Sequence, residues 1–373
     1  MIRIGETITV SAAVGRYRSH PSLARSPSGE WLLLFSDSGV PRDELIHPPN
    51  DPRFVNLLTR SSDRGRTWSA PVVVPDPSWT GVECSGITVL SDGTLLVNQF
   101  RFDWRPVDEA RRLWREGRVE PFVLGSASGW RPARSDEDLE AHPLPYVRAD
   151  LGSFVHRSTD AGRSWETVRL SIEPYRGAFS PKGAVELPGG EVLLALGSHA
   201  HDPLAAIVVL RSPDGGRTWS GPTEVARVPG LVFSEPTSVG LGAARVAVFA
   251  REETTGYVYR SVSDDAGRTW EAPVRLSLWG YPQHALRLAD GRLLLVYGVR
   301  RPPFAIRASL SEDDGATWSP EVTIRGDLVD SRRGLNLGYP SVLEDRPGEL
   351  FVAYYAEDEA GTVGIRGTFV CLA

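Results

Sequence analysis

The sequence predicts an all-β fold, a six-bladed β-propeller, and three observations carry that prediction. One octapeptide, Ser-x-Asp-x-Gly-x-Thr-Trp, recurs five times, as Ser61–Trp68, Ser158–Trp165 (Ser164 replacing Thr), Ser212–Trp219, Ser263–Trp270 and Ser311–Trp318. Its last three start-to-start spacings are 54, 51 and 48 residues, the length of a four-stranded blade of ~50 residues. A second pattern repeats six times: a lead-in, often with proline, then an apolar strand, a Gly-containing turn and another apolar strand. These units are Pro21–Phe35, Ile87–Phe100, Pro181–Leu196, Pro236–Phe249, Pro282–Tyr297 and Pro340–Tyr355. Six units predict six blades.

Each element has a mechanical reading. The octapeptide Asp bonds amides of its own turn, the Gly adopts a backbone conformation closed to other residues, and the Trp anchors the turn to a neighbouring sheet. An element repeated in five blades marks the scaffold, because catalysis needs unlike residues at one place. The wide first gap of 97 residues holds an insertion at 104–150, rich in Trp, Arg and Pro, between the second and third strands of blade two. The sixth unit has no octapeptide. Gly364–Cys371 supplies its third strand and Ile2–Val10 its fourth, closing the ring with both termini and leaving no open edge.

Composition removes several function classes. The formal net charge is −6 with no concentrated basic run, so neither nucleic acid nor an anionic membrane is the expected partner. Two cysteines, Cys84 and Cys371, cannot form a disulfide framework, and two buried thiols are expected ahead of a single bridge between them. His199-Ala200-His201 reads as a rim loop, and neither a metal nor a cofactor is expected. The start Met1-Ile2-Arg3-Ile4-Gly5 lacks a secretory apolar core, and no run reaches the ~18 residues of a membrane span. As written, the chain is expected to be soluble and cytoplasmic, or secreted if a signal peptide was trimmed.

Chemistry is expected where the innermost strands begin, around the mouth of the central channel. The residues before the lead-in prolines converge there: His20, Ser180, Glu235, Tyr281 and Tyr339, with Cys84-Ser85 in blade two. The second strands return to the same face with Asp37, Arg101, Arg251 and Arg300. Buried charge without a counter-charge is costly, so a cationic mouth implies an anionic ligand.

The octapeptides and the blade pattern resemble the bacterial sialidase superfamily, the BNR or Asp-box proteins, across nearly the whole chain. In those terms the chain carries five Asp boxes. The resemblance implies an exo-glycosidase that removes a terminal acidic sugar from a glycan. Three arginines clamp the sugar carboxylate, a Tyr–Glu pair supplies the nucleophile and an Asp is the general acid/base. Phe233-Ser234-Glu235-Pro236, followed by Phe249-Ala250-Arg251, resembles the family's Glu and second arginine. Gly338-Tyr339-Pro340-Ser341 resembles the nucleophile segment, and Tyr297-Gly298-Val299-Arg300-Arg301 the third-arginine segment. The first-arginine segment departs: Tyr17-Arg18-Ser19-His20-Pro21 has one extra residue between Arg and Pro. Asp37, Asp43 and Asp51 all lie in or beside the first blade's rim loop, and Asp43 and Asp37 are the acid/base candidates. The expected catalytic set is therefore Tyr339, Glu235, Asp43, Asp37 and His20. The expected substrate contacts are Arg18, Arg251, Arg300, Arg301, Tyr281, His284 and Arg101.

Two other readings use the same residues. His20 and Tyr281-Pro282-Gln283-His284 fit a lyase or hydrolase acting on uronate glycans, where arginine neutralises the carboxylate and His or Tyr removes the C5 proton. A non-catalytic glycan-binding propeller is the third, since one fold hosts many functions. The insertion leaves blade two beside Arg101 and is expected to form a rim, with Trp104, Trp114 and Trp130 available to stack on sugars.

Overall fold

The structure is a computed structural model that describes residues 2–38, 51–83, 85–125, 129–198, 202, 204–328 and 336–372. Those residues form six antiparallel sheets arranged as the blades of a propeller. Blade one is Tyr17–Arg25, Trp31–Ser38, Val55–Ser61 and Val72–Val74; blade two is Gly86–Val89, Leu95–Pro106, Tyr146–Ser158 and Glu166–Arg169. Blade three is Val185–Glu186, Val192–Gly197, Ile207–Ser212 and Thr223–Ala226; blade four is Phe233–Gly242, Arg245–Glu252, Tyr257–Ser263 and Val274–Trp279. Blade five is Gln283–Arg287, Leu293–Val299, Ala305–Ser311 and Val322–Arg325. Blade six takes Leu337–Arg346, Glu349–Glu357 and Val363–Leu372 from the end of the chain and Ile2–Ser11 from its start, with Ile2 opposite Leu372.

The second strands read as unbroken apolar runs because both of their faces are covered. In Trp31-Leu32-Leu33-Leu34-Phe35, Leu32 and Leu34 pack with Ile87 and Val97 of blade two. Leu33 and Phe35 pack with Phe351 and Tyr355 of blade six. The two-residue period of a strand makes that division automatic. Every neighbouring pair of blades shares its own apolar cluster, so the core is divided among the blade interfaces.

Polar bonds near the channel run round the ring in the same way. Ile87 N–H donates to Ser22 Oγ, Asn98 Nδ2 to the Ser180 carbonyl and Ser180 Oγ to the Pro236 carbonyl, at 2.8–3.1 Å. Gln283 Nε2 donates to the Phe249 carbonyl, Val342 N–H to His284 Nδ1 and Leu23 N–H to Ser341 Oγ, each at 2.9 Å. These bonds link each blade to the next.

The Asp boxes occupy the turns between third and fourth strands, at the end of each blade away from the lead-in residues. In the blade-three box, Asp214 accepts from Thr218 N–H at 2.8 Å and Thr218 Oγ1 at 2.7 Å, while Ser212 Oγ receives Gly216 N–H at 2.8 Å. The Trp219 indole closes the turn on the Gly216 carbonyl. Each box Trp packs at the interface with the preceding blade: Trp68 on Phe351, Trp165 against blades one and two, Trp219, Trp270 and Trp318 likewise in turn.

Between Leu95–Pro106 and Tyr146–Ser158 lie two short helices, Val107–Arg115 and Asp136–Glu140, and the strand pair Phe122–Leu124 and Trp130–Pro132. Ala110, Val123, Leu139 and Val147 give this segment an apolar core of its own. Cys371 departs from expectation: it lies exposed on the last strand, and its thiol is free. Cys84 and His199-Ala200-His201 lie outside the described residues. No described helix is long and apolar enough to cross a membrane.

Candidate active site

His20, Glu235 and Tyr339 share one backbone device. Each precedes a proline, each has a positive φ (54°, 50° and 49°), and each sits at a register shift in the first strand of its blade. A non-glycine residue in this region costs about 1–3 kcal/mol and persists only where its surroundings over-determine it. The bulge turns the side chain out of the alternating blade pattern and towards the channel mouth. Gly338 prepares the Tyr339 bulge: its φ is +120°, and a Cβ there would stand 3.2 Å from the Arg300 guanidinium.

These residues meet. Tyr339 Oη donates to Glu235 Oε1, and Arg251 Nη1 donates to Glu235 Oε2 at 2.8 Å. Arg251 Nη2 pairs with Glu253 at 2.8 Å, and Ser234 Oγ donates to the other Glu253 oxygen. The Arg251 guanidinium also lies on the Tyr281 ring, 3.9 Å from its centroid. Burial opposes the Arg251 charge, but Glu235 and Glu253 outweigh it and raise its pKa above the ordinary value. Burial likewise raises the Glu253 pKa.

Arg300 is placed differently. Its Nε donates to the Leu337 carbonyl at 2.9 Å and its Nη2 to the Tyr355 hydroxyl. Its guanidinium carbon lies 5.1 Å from the Tyr339 ring and 5.8 Å from the Tyr281 ring. Among the described residues it pairs with no carboxylate. This leaves a partly buried cation ringed by phenols beside the Tyr339–Glu235 pair.

The His20 imidazole stands edge-on to Tyr339, with ring centroids 4.1 Å apart, and its Nδ1 meets Ser19 Oγ at 2.8 Å. Other expected site residues lie elsewhere. Arg18 gives Nε to Asp37 at 3.1 Å and Nη1 to Ser11 at 2.7 Å, and Arg16 takes the other Asp37 oxygen. The extra residue between Arg18 and Pro21 puts His20, not Arg18, against Tyr339. Asp37 is fully buried and holds two arginines, so it is poorly suited to trade a proton with a ligand. Asp43 lies outside the described residues, and Asp51 holds Arg53 through both oxygens. Arg101 turns to the Thr80 carbonyl and the Trp79 ring, and Arg301 lies exposed on Trp279. His284 accepts the Val342 N–H within the channel, where burial and the charge of Lys182 hold its pKa well below the ordinary value. It is a neutral channel residue.

Sequence reasoning missed Glu253 and Tyr355. Both were legible: Glu253 lies two residues beyond Arg251, hence on the same face of the chain. Tyr355 lies two residues before the end of a second strand, and Arg300 directly follows the end of one. The tryptophans expected to stack on sugars are half-buried within the insertion. Trp104 packs on Trp130 and Tyr146, Arg148 covers Trp130, and Trp114 lies against the insertion core. A cleft of about 1000 Å³ separates the insertion from residues 171–177, with Phe100, Asp103, Glu120, Asp150 and Arg176 among its lining.

Comparison with known proteins agrees with this architecture. A sialidase of Micromonospora viridifaciens is 26% identical over 329 residues, covering 80% of this chain and 44% of its own length. The chain thus spans less than half of that curated relative. A protein of unknown function from Dyadobacter fermentans superposes with a TM-score of 0.81 at 25% identity, covering 100% of this chain and 99% of its own. A single-substitution mutant of the NanB sialidase of Streptococcus pneumoniae superposes with a TM-score of 0.64 at 15% identity, covering 98% of this chain and 70% of its own. The profile of the BNR repeat-like domain matches residues 157–352, from the second Asp box into the last blade. With the repeated boxes, the six blades and this match in agreement, the chain belongs to the BNR repeat-like family.

Proposed function

We propose that the protein is a sialidase-like exo-glycosidase that removes a terminal acidic sugar, sialic acid or a close relative, from a glycan. The observation that carries this reading is the Tyr339–Glu235 hydrogen bond beside Arg300, whose charge meets no described carboxylate. When the sugar bears its carboxylate on the anomeric carbon, a carboxylate nucleophile is repelled and a neutral phenol is not; sialidases with a Tyr nucleophile are a known exception to the two-carboxylate rule. Glu235 takes the Tyr339 proton, the phenolic oxygen bonds to the anomeric carbon, and the glycosidic C–O bond breaks. An acid protonates the leaving oxygen, and its conjugate base then draws a proton from the water that releases the sugar. Asp43 is the remaining sequence candidate for that acid. Arg300 anchors the sugar carboxylate, while Arg251, shared between Glu235 and Glu253, holds the Glu235 carboxylate in place against Tyr339.

One observation favours a second reading. His20 against Tyr339 forms a His/Tyr pair suited to removing the C5 proton of a uronate. A released-product assay on a panel of sialosides and uronate oligosaccharides separates the two. Free sialic acid supports the glycosidase; a new ultraviolet-absorbing unsaturated product replaces it with the lyase. Binding without turnover leaves a glycan-binding propeller.

A further inference from the structure

The chain has 41 basic residues of the Lys and Arg type, and only one of them, Lys182, is a lysine. That lysine is fully buried, with 1% of its surface exposed. It follows the lead-in of blade three, and its Nζ reaches the Pro340 carbonyl of blade six, on the opposite side of the ring, at 2.7 Å. Its backbone is pressed against blade two: a Cβ on Gly86 would stand 2.1 Å from the Lys182 carbonyl carbon, and one on Gly183 would stand 2.4 Å from the Ile87 oxygen. Two glycines therefore allow the approach that fixes the lysine at the channel. His284 of blade five is neutral beside it; the Val342 N–H occupies Nδ1, so the imidazole proton is on Nε2.

Burying an ammonium is costly even after relaxation, so a purely mechanical spacer would be better made from an apolar side chain. Arginine fills the other basic positions, but its planar fork does not replace a compact ammonium on an unbranched stem. The bonded carbonyl belongs to the residue after Tyr339, whose left-handed backbone aims the phenol at Glu235.

We propose that Lys182 is a positioning residue: a charged strut across the channel that holds the Tyr339-Pro340 bulge in the conformation needed for the Tyr339–Glu235 bond. The inference rests on the reading of Tyr339 as the nucleophile. Substitution Lys182→Met, measured on the substrate that the wild type turns over, is expected to lower kcat ~10–100-fold, as small misplacements of a reacting group do, with KM held within about twofold. A folded variant with unchanged kcat, or with its loss confined to KM, overturns the proposal. Tyr339→Phe measured alongside separates the two claims. An active Tyr339→Phe removes the nucleophile and the strut's purpose together, whereas an inactive one beside a fully active Lys182→Met removes only the strut. A second measurement does not depend on the variant folding. Wild-type protein labelled with 13Cε-lysine gives a single lysine side-chain resonance, expected to report an ammonium across the whole pH range of activity. A neutral amine in that range overturns the charged strut.

Discussion

Three residues before prolines, His20, Glu235 and Tyr339, adopt the same strained backbone and meet at one point. The prolines made these positions legible, because a residue before proline is pushed from ordinary helical geometry and the repeat showed where each inner strand begins. What the sequence could not show is which charges cancel. Asp37 of blade one is shared by Arg16 and Arg18, while Arg251 is shared by two glutamates and Arg300 faces phenols. That difference yields a prediction. Arg300→Lys keeps the charge but loses the fork that binds Leu337 and Tyr355, so KM for an acidic substrate should rise about tenfold or more while kcat changes less. Steady-state kinetics checks it; equal KM values for variant and wild type would place the anion site elsewhere.

At the scale of elements, the Asp box was read correctly from its repetition, and its bonds explain each residue in it. Asp214→Ala deletes acceptors for Thr218 and Ser212 and should lower stability by ~1–2 kcal/mol with turnover retained by the folded fraction. Denaturant unfolding and specific activity test this together; a fully folded, inactive variant would move the boxes into the site. The boxes also predict acid lability. Hydrogen bonds from the Thr67 and Thr317 side chains, then from their amides, hold Asp63 and Asp313 at about 2. Their folded pKa lies below the unfolded value, so their contribution is complete above pH ~4 and is lost as pH falls towards ~2. Tryptophan fluorescence followed over that window should report turns opening; a flat signal contradicts the assignment. The insertion was less legible. Its tryptophans read as sugar platforms, and in the structure Trp104 and Trp130 are half-buried and meet edge-on. Its expected rim role is a proposal that draws on the cleft between the insertion and residues 171–177. Replacing 107–145 by a brief turn should alter preference among glycans with different leaving groups while the propeller stays folded. Unchanged preference across the panel counts against that role.

For the whole molecule, the ring is what brings distant residues together. Glu235 and Tyr339 are 104 positions apart in the chain and belong to blades four and six, a juxtaposition that no local pattern specifies but the count of blades does. The blade count, the pairing of the first and last strands and the meeting of His20, Glu235 and Tyr339 followed from the repeat, whereas Arg18, Arg101 and Arg301 turn to other partners. Lys182 escaped notice because a lone lysine after a proline has no motif, and its meaning lies in the strand it reaches across the channel. The most direct test of the account is turnover by purified Tyr339→Phe, compared with wild type on whichever acidic glycoside the wild type cleaves, with circular dichroism and melting temperature recorded on the same samples. Removing one hydroxyl should leave fold and melting temperature near those of the wild type while kcat falls by several orders of magnitude. A folded Tyr339→Phe variant with near-normal kcat would contradict the proposed site.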